Sequence, residues 1–593
     1  MHVIATAGHV DHGKSTLVRL LTGMEPDRWA EERDRGLTID LGFGWTTLPG
    51  GEHVAFVDVP GHERFVPNML AGVGPVPAVL FVVAADEGWM PQSTEHLQAL
   101  DALGVRHGLL AVTRCDLADP EPARDQALAR VARTSLGRVD SVAVSGRTGE
   151  GLDRLRAALS RLVATLPPAD PGADVRLWVD RSFSITGAGT VVTGTLTAGT
   201  LRVGDRLVLA STGAATRVRG LQTLGQDAGT VRAVARAAIN LRGVERDALT
   251  RGDALLTPDS WLTTGETDVA LRGDDSGELP RELVLHIGSA AVPVRVRPLG
   301  PDTARLRLAR PLPLRTGDRA LLRDAGRHRV AAGVDVLDVC PPELVRRGAA
   351  RRRGAELAAL AGPRRLAVAD AVLRRRGFAT AGELRAMGLP VVGEPVGDGW
   401  RIHPGLWREL TGELRRLVDG WRGDHPLEPG VPVDAVRQRL RLPGTGVVKL
   451  LAEAASLVVV DGRVCAPGQH AVLPASVEAA VDELTVELSR TPFAAPDAGR
   501  LTALRLGARE LAAAVRAGRL LKVADSVFLL PGCERRAGEL LSGLRQPFTL
   551  SQARQALGTT RRVAVPLLEL LDRQGITERL PDSTRRVRAG RPL

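Results

Sequence analysis

Ala5-Thr6-Ala7-Gly8-His9-Val10-Asp11-His12-Gly13-Lys14-Ser15-Thr16 follows the apolar start Val3-Ile4 and fits G-x-x-x-x-G-K-[ST] from Gly8 to Ser15. The pattern predicts a buried strand, a glycine-rich turn and a helix start, with the segment from Gly8 to Thr16 cradling phosphates. Lys14 is the only lysine in the first 448 residues, in a chain whose other basic side chains are almost all arginine. A compact ammonium reaches β- and γ-phosphates in a slot where a rigid guanidinium fork is too broad. The segment therefore implies a nucleoside triphosphate.

Further elements follow in order. Asp58-Val59-Pro60-Gly61 ends the apolar run Val54–Val57, and Arg35-Gly36-Leu37-Thr38-Ile39 precedes it. Mg²⁺ accepts few protein oxygens beside phosphate and water: Ser15 offers it a hydroxyl directly, Asp58 a carboxylate behind its ligands, and Thr38 would close on it only when a γ-phosphate is present. Thr113-Arg114-Cys115-Asp116 follows another buried run and puts the Asp116 carboxylate where guanine offers two donors; adenine lacks that pair, so the nucleotide is expected to be GTP. Ser145-Gly146 would buttress the base. The guanine motif usually begins Asn-Lys; here Thr113 has a shorter reach, which implies modest affinity, and Arg114 can lay its methylene stem on the purine face. His9 and His12 have metal-like spacing but lie inside the phosphate loop, where they read as scaffolding.

With 593 residues, the chain has room for about three to five domains. No apolar run approaches the roughly 20 residues of a membrane span, and no secretory signal is expected. Cys115, Cys340, Cys465 and Cys533 form no C-x-x-C pair, which argues against disulfides and zinc and fits a reducing cytosol. The net charge of +11 points to a polyanionic partner. A codon bias towards arginine would explain Arg over Lys, but not the excess of base over acid.

Residues 1–170 alternate apolar runs with helical patterns, which predicts a doubly wound P-loop GTPase domain. Short alternating runs with glycine turns predict β-barrels over 171–262 and 263–340. The remainder is helical with small hairpins, read as tandem winged helices over 341–424, 425–474, 475–532 and 533–593. The fold class is thus multidomain α/β, then β, then α.

Gly61-His62-Glu63 resembles the translational GTPases. That resemblance implies that His62 orients the attacking water, an imidazole being able both to accept and to donate. It also implies that Val10 and Leu37 gate His62 until an external trigger. Longer stretches are similar to the bacterial selenocysteine-specific elongation factors (SelB): Ala5 to Lys14, Gly36 to Phe43, Asp58 to Phe65, and Leu177 to Thr195. Asp40-Leu41-Gly42 stands where general elongation factor Tu has Asn-Thr-Ser, and Thr113 is similar to SelB as well. The match is specific over the first three domains and weaker beyond them.

The resemblance implies a monomeric cytoplasmic factor that carries selenocysteinyl-tRNA to the ribosome at UGA, held by a messenger RNA stem-loop. It places an aminoacyl pocket between the GTPase domain and the first barrel, at Phe43, Asp180, Arg181 and Arg236, the last placed by its trailing Asn240. Asp180 would take the α-amino group, and Arg181 and Arg236 would face the side chain. A selenol is more acidic than a hydroxyl, so the correct side chain is an anion. Neutral serine would leave those cations unsatisfied.

From Cys533 to Leu593 there are 12 arginines against six acids. Ser551 is expected to start one helix, and Thr559 and Thr560 to cap a second running from Arg561 to about Gln574, stopped by Gly575. Arg561 and Arg562 in its first turn oppose the helix dipole, so a phosphate partner is the better reading. Arg579, Arg585, Arg586 and Arg588 would line a wing that reaches RNA. The cluster Arg346, Arg347, Arg351, Arg352, Arg353 reads equally as an RNA contact or a solvated face. Two other functions share parts of this pattern: a GTPase subunit of sulfate activation, which needs no basic tail, and a GTP-regulated DNA-binding protein. An initiation factor would need a cysteine-ligated zinc insertion.

Overall fold

The computed structural model describes residues 1–26, 38–186, 189–273, 276–360, 365–468 and 473–588. The chain divides into two compact units, Met1–Gly393 and Glu394–Leu593.

The first unit opens with strands β1 (His2–Ala7), β2 (Gly42–Thr47), β3 (His53–Asp58), β4 (Ala78–Ala84), β5 (His107–Thr113) and β6 (Asp140–Ala143). They form one sheet in the order β2-β3-β1-β4-β5-β6, parallel except for β2. Helices cover both faces, so the inner strands read as continuous apolar runs, and every residue of β4 is buried. Alternate residues feed opposite cores: Val3, Ala5 and Phe81 one, Ile4, Phe56 and Leu80 the other. The strand ends carry the phosphate loop after β1, Asp58 as the last residue of β3, and Asp116 after β5. Site residues therefore gather along one edge of the sheet, outside the carboxyl ends of its strands.

An eight-stranded antiparallel sheet from Arg176–Trp178 to Ala254–Leu256 follows, curled on its own core of Leu177, Val192, Leu209 and Ile239. The next six strands, between Thr263 and Asp338, close into a barrel. In Ala290–Gly300, Val292, Val294 and Val296 point inward while Arg295 and Arg297 point out. Both β domains are tied to their neighbours by arginine. Arg176 grips Asp318 with two bonds of 2.6 and 2.7 Å, joining one β domain to the other.

Two expectations are corrected here. The module expected over 341–424 is divided after Gly393. Val368, Val372, Leu373 and Leu384 complete the barrel core, whereas the helix Pro404–Asp424 packs on Thr445–Ala454 in the second unit, burying Leu410, Leu414 and Val418. The arginine cluster is also not uniform. Arg346, Arg347, Arg351 and Arg352 are exposed, but Arg353 is buried, bonding Asp268 at 2.8 Å and Asp338 at 2.5 Å while Arg305 holds Asp268 at 2.7 Å. Arg353 thus fastens the helix Ala349–Leu360 to the barrel, and Gly354 beside it rests on the Leu299 carbonyl, where a Cβ would lie 2.1 Å away.

In the second unit, a hairpin Val458–Val460/Arg463–Cys465 backs one helical module. Beyond it, a single core runs from Leu484 through Leu511, Leu541 and Phe548 to Leu571, so the two last modules share their interior. The helix expected from Ser551 starts one turn-position earlier: Thr549 caps Leu550–Ala556, with Gln552 completing a reciprocal capping box. The following helix runs Arg561–Arg573 and buries Val563, Leu567, Leu568 and Leu571.

Removing one member of a buried charge network strands the others. Arg353→Ala is expected to destabilise the first unit by on the order of 3 kcal/mol. Arg353→Lys should recover only part of this, since an ammonium cannot fork between two carboxylates. Denaturant unfolding of the full chain measures both.

Candidate functional site

The phosphate loop needs glycine where the backbone runs against other chain. Gly8 has φ 131°, and a Cβ there would sit 2.1 Å from the Val82 carbonyl. At Gly61 a Cβ would lie 2.4 Å from Lys14 Nζ and 2.6 Å from the Val10 nitrogen. Gly61, the residue before His62, thus packs directly on Val10 and the loop. Lys14 is buried and donates to the Gly8 and His9 carbonyls at 3.1 and 2.6 Å.

Three segments meet at one cluster of oxygens. Ser15 Oγ lies 2.9 Å from Thr38 Oγ1 and donates to Asp58 Oδ2 at 2.6 Å. Asp58 Oδ1 accepts from Thr6 at 2.7 Å, which fixes the carboxylate. Hydroxyls and one carboxylate are the donor chemistry that suits Mg²⁺. His62 begins a short 3₁₀ turn, its Nδ1 accepting from the Arg64 amide at 3.3 Å and its ring 5.9 Å from that of Phe65. Leu37, the second expected gate residue, lies outside the described residues.

At the guanine motif, Asp116 Oδ1 accepts from Ser145 Oγ at 2.6 Å and Oδ2 from Arg147 Nε at 2.8 Å. The Ser145 hydroxyl, with Arg147, holds the Asp116 carboxyl below the usual carboxylate range. Gly146 sits over Thr16, where a Cβ would be 3.2 Å from Cγ2. The Thr113 hydroxyl is spent on the His12 carbonyl at 2.7 Å and so anchors the phosphate loop. Arg114 places its guanidinium on Asp86 at 2.9 Å and Glu87 at 2.8 Å and also donates to the Asp11 carbonyl, which anchors the head of a side chain whose stem is expected along the purine.

The four expected pocket residues come together. Arg181 and Arg236 both lie over the Phe43 ring, at 4.7 and 3.9 Å from its centre. Arg236 forks onto Asp180, one bond being 2.6 Å, and also reaches Thr193 at 3.1 Å. Arg181 donates to the Leu41 carbonyl and stands 3.8 Å from Asp40. Asp180, expected to present a carboxylate to an α-amino group, has both oxygens engaged by Arg236 and Thr193, because a buried carboxylate takes its nearest donors. A cleft of about 680 Å³, lined by Asp40, Asp180, Arg181 and Arg251 among others, opens beside them.

Two contributors had no motif. Arg251 lies in a triplet that signals only a turn, yet it bonds the Asp180 carbonyl at 2.9 Å and Asn68 at 2.7 Å, and pairs with Asp40. It thereby ties the segment after Thr38 to the pocket. His96, on the buried face of Pro91–Leu103, accepts from the Gly8 amide at 3.0 Å. Its spacing among apolar neighbours was the only signal, and it reads as ordinary core.

In the terminal module the six expected RNA-facing arginines separate. Arg561, Arg579, Arg586 and Arg588 are exposed, the last two beside Glu578 at 3.1 and 3.7 Å. Arg585 is buried and paired with Asp572 at 2.9 Å, which corrects its expected role: it fastens the wing to its helix. Arg562 donates to the Ser526, Ala495 and Pro496 carbonyls at 3.0, 2.9 and 3.0 Å, binding one module to the next.

Burial, with Lys14 and His9 adding repulsion, pushes His96 down to about 3; burial, then His9, pushes His12 down to about 4. Both are neutral when folded and become basic on unfolding. The unfolded chain therefore binds more protons below its ordinary histidine pKa, and stability falls as pH drops from about 6.5 towards 4. His96→Gln, whose amide oxygen can still accept from Gly8, should flatten that slope by up to about 1.4 kcal/mol per pH unit. Thermal unfolding from pH 7.5 to 5 would show it.

The elongation factor Tu GTP binding domain family matches residues 1–165, elongation factor Tu domain 2 residues 189–256, the selenocysteine-specific elongation factor β-barrel domain residues 278–343, and the elongation factor SelB winged helix residues 539–586. The selenocysteine-specific elongation factor of Desulfomicrobium baculatum is 31% identical over 98% of both chains. That of Escherichia coli is 38% identical over 58% of this chain and 56% of its own. The crystal structure of a bacterial selenocysteine-specific elongation factor, EF-Sec, superposes with a TM-score of 0.79 over 99% of both chains at 25% identity. Sulfate activation and DNA binding are not favoured by these matches. From the P-loop to the last winged helix, this GTPase belongs to the selenocysteine-specific elongation factor family.

Proposed function

We propose that this GTPase delivers selenocysteinyl-tRNA to the ribosome at UGA codons and is recruited by a messenger RNA stem-loop bound by its C-terminal winged helices, acting as a cytoplasmic monomer. The observation that carries the reading is the pair of guanidiniums, Arg181 and Arg236, stacked on one Phe43 ring at a cleft between the GTPase and β domains. An anionic side chain entering there pairs with the guanidinium that Asp180 gives up, whereas serine would leave that cation with no new partner. The α-amino group replaces Arg236 on Asp180, and the released fork turns to the selenolate.

GTP is held by the loop from Gly8 to Thr16, with Asp116, Ser145 and Gly146 at the base. Ser15, Thr38 and Asp58 would hold Mg²⁺, which offsets charge on the phosphates when bound. Thr38 senses the γ-phosphate, and Asp40, two residues on, carries that state through Arg251 and Arg181 to the pocket. His62 orients the attacking water once the ribosome moves it past Val10 and Leu37. Hairpin binding, through exposed Arg561, Arg579, Arg586 and Arg588, raises the local concentration of the factor at one codon. In this reading Arg562 holds one module to the next, and Arg585 holds the wing to its helix.

His62→Ala should abolish ribosome-stimulated hydrolysis while GTP affinity stays within about twofold; loss of GTP binding instead would refute its role. Arg181→Ala should narrow the preference for selenocysteinyl- over seryl-tRNA by roughly tenfold or more. A preference unchanged in competition binding would refute the pocket.

A further inference from the structure

Four arginines just after the closed barrel, Arg346, Arg347, Arg351 and Arg352, stand in solvent, and none of them has an acid partner among the described residues. Glu343 is the one acid between Pro341 and Arg352, and Glu356, further on, is taken up by Arg353 at 3.2 Å. The guanidiniums at the seams of this unit behave differently: Arg176, Arg251 and Arg305 all reach acids or carbonyls. Arg351 and Arg352 also lie in the first turn of the helix Ala349–Leu360, which holds no acid, so they crowd like charge onto its positive end. A face that served solubility alone would mix the two signs.

The patch is held on a rigid base. Arg353, next in the run, forks between Asp268 and Asp338, Gly354 rests on the Leu299 carbonyl, and Arg305 donates to the Pro342 carbonyl at 2.7 Å. Opposite Arg305 in register stands Arg297, exposed on the outer face of the barrel, which carries the charge onto the sheet. Leu344 and Ala350 turn inward onto the cluster of Leu299, Leu337 and Leu357, leaving Val345 exposed. The patch therefore lacks the apolar centre that a protein partner would bury. Guanidinium forks of one sign on a fixed surface suit phosphates spaced along a nucleic-acid backbone.

We propose that this patch grips the phosphate backbone of the transfer RNA whose aminoacyl end enters the Phe43 cleft. The inference rests on the delivery function proposed above and adds a second anchor to it. Cleft and patch belong to the same compact unit, whereas the winged helices assigned to the messenger lie in the other. One RNA can thus meet both at a fixed spacing. Contacts of this kind supply affinity and orientation, and leave the choice between side chains to the cleft.

The test compares the full, GTP-bound chain with its Arg346→Gln/Arg347→Gln/Arg351→Gln/Arg352→Gln variant, in competition binding of selenocysteinyl-tRNA and of the same tRNA carrying serine. Both affinities should fall at least tenfold, with their ratio kept within twofold. The slope of log affinity against log salt should flatten by up to about one for each arginine. The thermal midpoint should stay where it is. Unchanged affinity for both tRNAs overturns the proposal, and a fall in ribosome-stimulated hydrolysis alone would assign the patch to ribosomal RNA instead. A shifted selenocysteine-to-serine ratio would move the effect to the cleft and overturn it as well. Failure of the parent to bind either tRNA would refute the delivery reading itself. Should the fourfold variant unfold early, Arg346→Gln/Arg347→Gln, ahead of the helix, serves the same test with about half the change in slope.

Discussion

A guanidinium removed from water must place five N–H donors on acceptors, and a chain whose cations are nearly all arginine is organised around that demand. Each seam of the first unit is closed in this way. Arg176 forks onto Asp318, Arg305 and Arg353 share Asp268, and Arg251 joins Asp40 to Asp180. Unlike the rotatable point charge of an ammonium, the planar fork holds its donors in a fixed plane, so one side chain fixes both distance and orientation between domains. The cost is rigidity of chemistry: a buried carboxylate already held by a fork is not available to a ligand unless the fork moves.

That trade defines the pocket. Asp180 and Arg236 neutralise one another; Arg236 also lies over the Phe43 ring, and Thr193 is a further partner of both. Under the proposed function, an incoming amino acid with one positive and one negative end would replace the internal pair with two external ones, leaving net burial of charge unchanged. A neutral side chain offers only half of that exchange. Selectivity of this kind rests on unsatisfied charge, which discriminates more strongly than a difference of one atom in size.

The nucleotide site shows the opposite economy. Its oxygen cluster is built from small groups, Thr6, Ser15, Thr38 and Asp58, each set by a strand end or helix start. Behind the loop stand buried neutral histidines, His12 and His96, the second holding the Gly8 amide. Arg251 and Arg181 both meet Asp40, two residues after Thr38, so the chain leaving this cluster is paired with arginines of the Phe43 cleft.

The phosphate loop, Asp58, Asp116 and Ser145 were legible in the sequence because each is contiguous with the strand that presents it. A strand–turn–helix with glycine at Gly8 and Gly13 has one local solution, and alternation in β1 and β4 already states which faces are buried. Phe43, Asp180, Arg181 and Arg236 were legible only through resemblance to a family. What tertiary structure alone decided was the partner of each arginine. Arg353 and Arg585 carry the same local signature as their exposed neighbours, yet one meets Asp268 and the other Asp572 in the interior. Arg251 looks like part of a turn until folding brings Asp40 to it from the other end of the unit. Charge in a sequence says that a partner is needed; only the three-dimensional arrangement says whether that partner is an acid of the same chain or is left to be found outside it.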